Sequence, residues 1–161
     1  MQLVLDSNEY LFALGAERKP ACEALLNTLL AHPTTYRIRL SRTILEEVRR
    51  NTAPQRFRDF WLFLQALGVS VDEDWEVPFE LGAKYESLGL KPGDAFIGAY
   101  TEWTGAECLI TENRDFLSLT ELPFKIVRAE AFLKQHSPRN LDLPPEIETS
   151  PFVISPIKIG K

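Results

Sequence analysis

Apolar positions along the chain switch between two periods, short unbroken runs and a spacing of three and four. Leu3-Val4-Leu5 is an apolar run that stops on Asp6-Ser7-Asn8, which predicts a first strand buried on both faces. From Asn8 to Ala16, and again from Ala21 to Leu30, the spacing becomes helical. Cys22, Leu25, Leu26, Leu29 and Leu30 share one face, and Pro20 stands where a helix starts. His32-Pro33-Thr34-Thr35 breaks the pattern, and Tyr36 to Leu40 alternates as a strand does. Ser41 to Asn51 returns to helix, with Ser41 in the capping position and Ile44, Leu45 and Val48 on the apolar face. Pro54 opens a further helix through Phe57, Phe60, Trp61, Phe63, Leu64 and Leu67, which Gly68 ends. Val69-Ser70-Val71 reads as a short strand and Val77 to Leu88 as an amphipathic helix. Lys91-Pro92-Gly93-Asp94 opens another helix, and Glu107 to Ile110, Lys125 to Val127 and Ala129 to Leu133 complete a strand, strand, helix ending.

Strands alternating with helices predict an α/β fold, a three-layer α/β/α sandwich with a central, mostly parallel sheet. That domain is expected over residues 1–136. Residues 137–161 differ in character, because Pro138, Pro144, Pro145, Pro151 and Pro156 exclude a continuous helix. They read as an appended, Pro-rich C-terminal tail with Phe152, Val153 and Ile154 available to a neighbour. No internal repeat is present.

Composition narrows the function classes. With 161 residues, 45% hydrophobic and 25% charged, the chain suits one globular domain. A formal charge of −5 argues against holding nucleic acid by bulk charge, so any such contact needs a local patch or a bound cation. The two cysteines, Cys22 and Cys108, are far apart and support neither a disulfide framework nor a zinc site. No apolar run approaches the roughly 20 residues that span a bilayer, and no basic segment precedes the first apolar run. The expectation is a cytoplasmic protein without membrane contact.

The acids at element ends carry the chemistry. Strand ends in a parallel sheet face the ligand crevice, so Asp6 is delivered to one, and a second acid-rich turn, Thr111-Glu112-Asn113-Arg114-Asp115-Phe116, follows Cys108-Leu109-Ile110. Helix capping is the ordinary alternative for both. At about 100° per residue, Glu46 points away from its helix's apolar face while Glu47 lies nearer the edge, where it can reach a cleft. Asp94 begins a helix; Gly98 and Thr101 follow on its side, whereas Phe96, Tyr100 and Trp103 take the other, leaving Asp94 an uncrowded face. Carboxylates without histidine or cysteine nearby suit Mg2+ or Mn2+, which prefer hard oxygen ligands.

Four pieces in order, L-D-S-N, S-R-T-I-L-E-E-V, G-D-A-F-I-G-A-Y and L-I-T-E-N-R-D-F, resemble the PIN-domain nucleases, the group that includes the VapC-type toxins of toxin–antitoxin pairs. The resemblance covers about residues 1 to 135. It implies a metal-dependent endoribonuclease whose metal and catalytic residues are Asp6, Glu47, Asp94 and Asp115, with Ser7, Thr111, Asn113 and Arg114 in support. The family often has Asp or Asn where Asn113 stands and another Asp shortly before the Phe, where Asp115 stands, which makes Asp115 the choice for fourth ligand and Asn113 a neutral supporting group. The implied partners are an RNA substrate and a cognate antitoxin protein. Arg37, Arg39, Arg42, Arg49, Arg50, Arg56 and Arg58 form a local basic excess that fits phosphates or, equally, a solvated helix face. The Phe57, Phe60, Trp61 and Leu64 stripe suits core packing and leads to the expectation of a homodimer. His32 and His136 read as surface residues.

Other classes compete less well. A haloacid-dehalogenase-like phosphotransferase needs an acid where Asn8 stands, and a phosphoacceptor receiver domain needs a late lysine that the late turn lacks. The stronger alternative is a catalytically weak PIN-like RNA-binding or scaffold module.

Overall fold

The computed structural model describes residues 1–136, and the Pro-rich tail lies outside the described residues. Strands β1 (Gln2–Leu5), β2 (Arg37–Ser41), β3 (Val71–Asp72), β4 (Cys108–Ile110) and β5 (Lys125–Val127) form one sheet in the order β3-β2-β1-β4-β5, parallel throughout. Parallel neighbours need long crossovers, and each one here carries helix. Helices α1 (Ser7–Leu14) and α2 (Pro20–Ala31) join β1 to β2, and α3 (Arg42–Arg50) and α4 (Pro54–Ala66) join β2 to β3. Helices α5 (Phe79–Ser87) and α6 (Pro92–Thr104) join β3 to β4, α7 (Arg114–Leu117) joins β4 to β5, and α8 (Ala129–His136) follows. Helices α1, α2, α3, α4 and α8 touch one another in one layer, while α5 and α6 pack as a pair. The expected three-layer sandwich is the fold.

Burial explains the uniform apolar runs: Leu3, Val4, Leu5, Leu109 and Ile110 are all fully buried in the two central strands. The order also fixes where chemistry can sit. Connections leave β1 toward β2 on one side and later arrive at β4 on the other, so the carboxyl ends of β1 and β4 flank a topological switch point.

Two boundaries differ from the sequence expectation. The helix expected over Val77 to Leu88 is present but starts two residues later. A 3-10 turn spans Asp74–Glu76 and α5 begins only at Phe79, because Pro78 disfavours helical backbone at Val77, which is extended at φ −78 and ψ 124. The third strand is Val71–Asp72, later than Val69 to Val71. Its end is tied by Asp72 Oδ2, which accepts from Arg39 Nε at 2.9 Å and from the Tyr100 hydroxyl at 2.6 Å.

The aromatic stripe of α4 mostly turns inward. Phe60, Phe63 and Leu64 are buried and Phe57 packs on them, leaving Trp61 and Leu62 as the exposed large hydrophobic side chains of that helix. The face of α6 read as uncrowded is crowded. A Cβ at Gly98 would lie 2.6 Å from the Tyr85 ring of α5, and Thr101 on the same side is fully buried. Gly98 is small so that α5 can approach. Gly98→Ala is therefore expected to destabilise the fold by about 1–3 kcal/mol in urea unfolding, the usual range for overpacking a full core. Gly105 ends α6 at φ 69, where a side chain would be strained. Among the described residues no helix is long and apolar enough to cross a membrane.

Candidate active site

The pairing of β1 with β4 continues one step past the strand: Asp6 N donates to Ile110 O at 2.9 Å. This sets the side chains of Asp6 and Thr111 next to each other at the switch point. Thr111 Oγ1 donates to Asp6 Oδ2 at 2.8 Å, and Ser7 N donates to Asp6 Oδ1 at 2.8 Å. Asp6 is thus a cap of α1 and something more, since its second oxygen is held by the neighbouring strand end.

The same chain of contacts runs on to α6. Asn113 N donates to Thr111 Oγ1 at 3.0 Å, and Asn113 Nδ2 donates to Asp94 Oδ2 at 3.2 Å. Asn113 Oδ1 meanwhile accepts from Asp115 N at 3.0 Å, capping α7. One orientation of the amide satisfies both demands. Asp94 does not cap its own helix, because α6 has no side-chain cap. It lies in the first turn of that helix, where the helix dipole favours a carboxylate, and its side chain is held by Asn113.

Glu47 arrives on α3, whose first turn is fixed from two sides. Ser41 Oγ accepts from Ile44 N at 3.2 Å; Asp74 Oδ1 accepts from Thr43 N at 3.0 Å and its Oδ2 from the Thr43 hydroxyl at 2.7 Å. Glu46 turns away to pair with Arg49 at 2.6 Å. Glu47 and Asp94 both act electrostatically on Asp6. Asp6 is 5% exposed, and its carboxyl is pushed up from 3.8 to about 6. Burial is the main cause, opposed by the Thr111 and Ser7 hydrogen bonds and reinforced by the charges of Glu47 and Asp94. Such a site favours a cation, because bringing one in relieves the repulsion and meets the buried charge.

Of the residues read from sequence, Asp6, Thr111, Asn113 and Asp94 are joined by hydrogen bonds, Glu47 is joined to them by charge, and Ser7 supports Asp6. Asp115 and Arg114 are exposed, and Asp115 meets this chain through its backbone amide. Asn113 holds the inner position of that turn and Asp115 the outer one. The histidines lie at the other end of the sheet: His32 follows α2 just before β2 starts, and His136 ends α8 with its ring 4.4 Å from that of Phe132.

The basic excess is largely spent within the protein. Arg39 pairs with Asp72, Arg42 with Glu73, Arg49 with Glu46 and Arg56 with Asp59. Among the described residues Arg37, Arg50 and Arg58 form no ion pair, and all three are exposed.

Sequence reading missed a second group, Glu9 on α1, Cys22 on α2 and Glu112 in the turn after β4. Glu112 turns away from the switch point, its Oε1 accepting from Ala129 N at 3.2 Å. The missed signal was periodicity. Glu9 precedes Ala13 by four residues, as Tyr10 precedes Leu14, so it falls on the buried stripe of α1.

No family model matches the chain, and no curated protein matches it.

Proposed function

We propose that the protein is a metal-dependent ribonuclease of the PIN-domain kind, hydrolysing RNA phosphodiester bonds and acting as the toxin of a toxin–antitoxin pair. The observation that carries this reading is the chain Asp6–Thr111–Asn113–Asp94 at the switch point, with the charge of Glu47 beside it.

The donor set fits Mg2+ or Mn2+: Asp6, Glu47 and Asp94 offer carboxylate oxygens, with neither thiol nor imidazole among them. Such an ion, when bound, supplies Lewis acidity toward phosphate oxygens and lowers the pKa of water. The protein's part is positioning. Thr111 and Ser7 fix the Asp6 carboxylate, Asn113 fixes that of Asp94, and the twice-capped α3 presents Glu47. In this reading the exposed Asp115 is the fourth carboxylate and the neighbouring, exposed Arg114 its phosphate contact.

Single-stranded RNA suits the surroundings. Trp75 and Phe79 are 80% and 84% exposed and line a hollow of about 380 Å3 with Pro92 and Phe96, at the start of the helix that carries Asp94. Exposed rings lining a hollow are what unstacked bases pack on. With four of the seven arginines paired, stacking and the bound cation have more of the binding to supply than bulk charge does.

The test is cleavage of a single-stranded RNA by chelator-stripped full chain. Activity is expected to return with Mg2+ or Mn2+ and to fall by at least about tenfold in Asp94→Asn. A wild type that binds this RNA but leaves it intact with either ion would favour the scaffold alternative.

A further inference from the structure

Glu9 is the one carboxylate of the described residues that is fully buried with neither oxygen hydrogen-bonded. A charge so placed costs several kcal/mol unless something compensates it. No ion pair among the described residues includes it. Lys19 acts electrostatically on the neighbouring Cys22 while its Nζ sits 4.0 Å over the Phe12 ring.

Two further ligating groups converge on Glu9 from other segments. Its carboxylate, the Cys22 sulfur and a Glu112 carboxylate oxygen all lie within 4.8 Å of one another. Cys22 Sγ is 3.9 Å from Glu112 Oε1. Glu112 is held in place by Ala129 N on that oxygen and by its own N–H, which donates to Asn8 Oδ1 at 3.4 Å. Its other oxygen accepts no hydrogen bond within the described residues.

We propose that Glu9, Cys22 and Glu112 form a second cation site, separate from the Asp6, Glu47 and Asp94 cluster, that takes a borderline-soft divalent ion such as Zn2+. The donor set decides the class of ion. Mg2+ and Ca2+ demand oxygen, whereas Zn2+ binds thiolate and carboxylate together. Binding releases the Cys22 thiol proton to solvent, together with any proton that Glu9 holds. Glu112 is half-buried, so the fourth position opens toward water on its side. The two cysteines gave no such hint, because the site uses one of them with two carboxylates from distant segments. A bound ion would tie α1 and α2 to the turn that carries Thr111 and Asn113.

Chelator-stripped full chain titrated with Co2+ tests the site through its colour. Wild type should take up one equivalent with a near-ultraviolet thiolate-to-cobalt band, which an all-oxygen site cannot give. Zn2+ should abolish the band by displacement. Cys108→Ala should keep it, which leaves Cys22 as the only thiol able to produce it. Asp94→Asn should keep it too, so loss of RNA cleavage and loss of this site are separate results. Glu9→Gln should weaken Co2+ binding by at least about tenfold, as outer-sphere changes alone cost 10–100-fold. A wild type with no thiolate band, or a band that Cys108→Ala removes, would overturn the site and leave a proton as the occupant of the cluster.

Discussion

Asp6→Asn is expected to do two opposite things, to lower metal-dependent RNA cleavage by at least about a hundredfold and to make the metal-free protein more stable at pH 7. The first follows from removing the charge at the centre of the site. The second follows from linkage. In the folded protein this carboxyl titrates near 6 against an ordinary 3.8, so between those values the folded state binds more protons than the unfolded. Wild-type stability therefore falls as pH rises from about 4 to 6, and the loss is complete above. Asparagine has no proton to lose, and its oxygen can still accept from Ser7 N. The gain at pH 7 should be about 1–2 kcal/mol, less than the full 1.4 kcal/mol per pKa unit because the Thr111 contact is remade with altered polarity. It should shrink toward zero near pH 4. Urea unfolding in chelator at both pH values, beside the RNA assay, gives the answer. A variant less stable than wild type at pH 7 would mean that Asp6 is held for capping and packing, with no functional charge to relieve.

The layers of the fold were legible because burial and periodicity report the same thing. Leu3-Val4-Leu5 and Cys108-Leu109-Ile110 are unbroken apolar runs, and both are central strands covered on two faces. Where local chemistry set the outcome against the pattern, the reading slipped. Pro78 delays the start of a helix whose apolar spacing begins at Val77, and Gly98 looked like open space when a side chain there would meet the Tyr85 ring of α5. The candidate site was half legible. Asp6, Thr111 and Asp94 could be placed at element ends from sequence, since strand ends face the crevice whatever the side chains do. Which residue of the late turn faces inward was not, because Asn113 and Asp115 differ by two positions and the α7 cap decides between them. The pairing of the arginines was equally hidden. Arg39 and Arg42 meet Asp72 and Glu73, about thirty residues on in sequence, only once β3 lies beside β2.

The other large effect belongs to Glu9. Its carboxyl is pushed up from 4.5 to about 8, by burial first and then by the neighbouring Glu112 and Asp6, with Cys22 working the other way. The folded state therefore holds a proton here that the unfolded chain releases near 4.5, and stability must fall as pH rises toward 8, the reverse of a salt-bridged glutamate. Asp6 shares that sign and is half ionised near pH 6, so above that pH it adds only about 0.4 kcal/mol more. Cys22 is raised by burial and by Glu9, so its thiol stays neutral throughout. The interval from pH 6 to 8 therefore belongs mainly to Glu9. One proton over two pH units sets a ceiling of about 2.7 kcal/mol on the decline, and a loss of about 1–2 kcal/mol is expected for wild type in chelator. Glu9→Gln carries no titrating group, and its curve should run at least about 1 kcal/mol flatter over the same interval. Comparing the two proteins removes His32, His136 and every other group they share. Unfolding curves that stay parallel from pH 6 to 8 would show that Glu9 is already ionised in the folded protein, with its charge compensated by some group other than a proton.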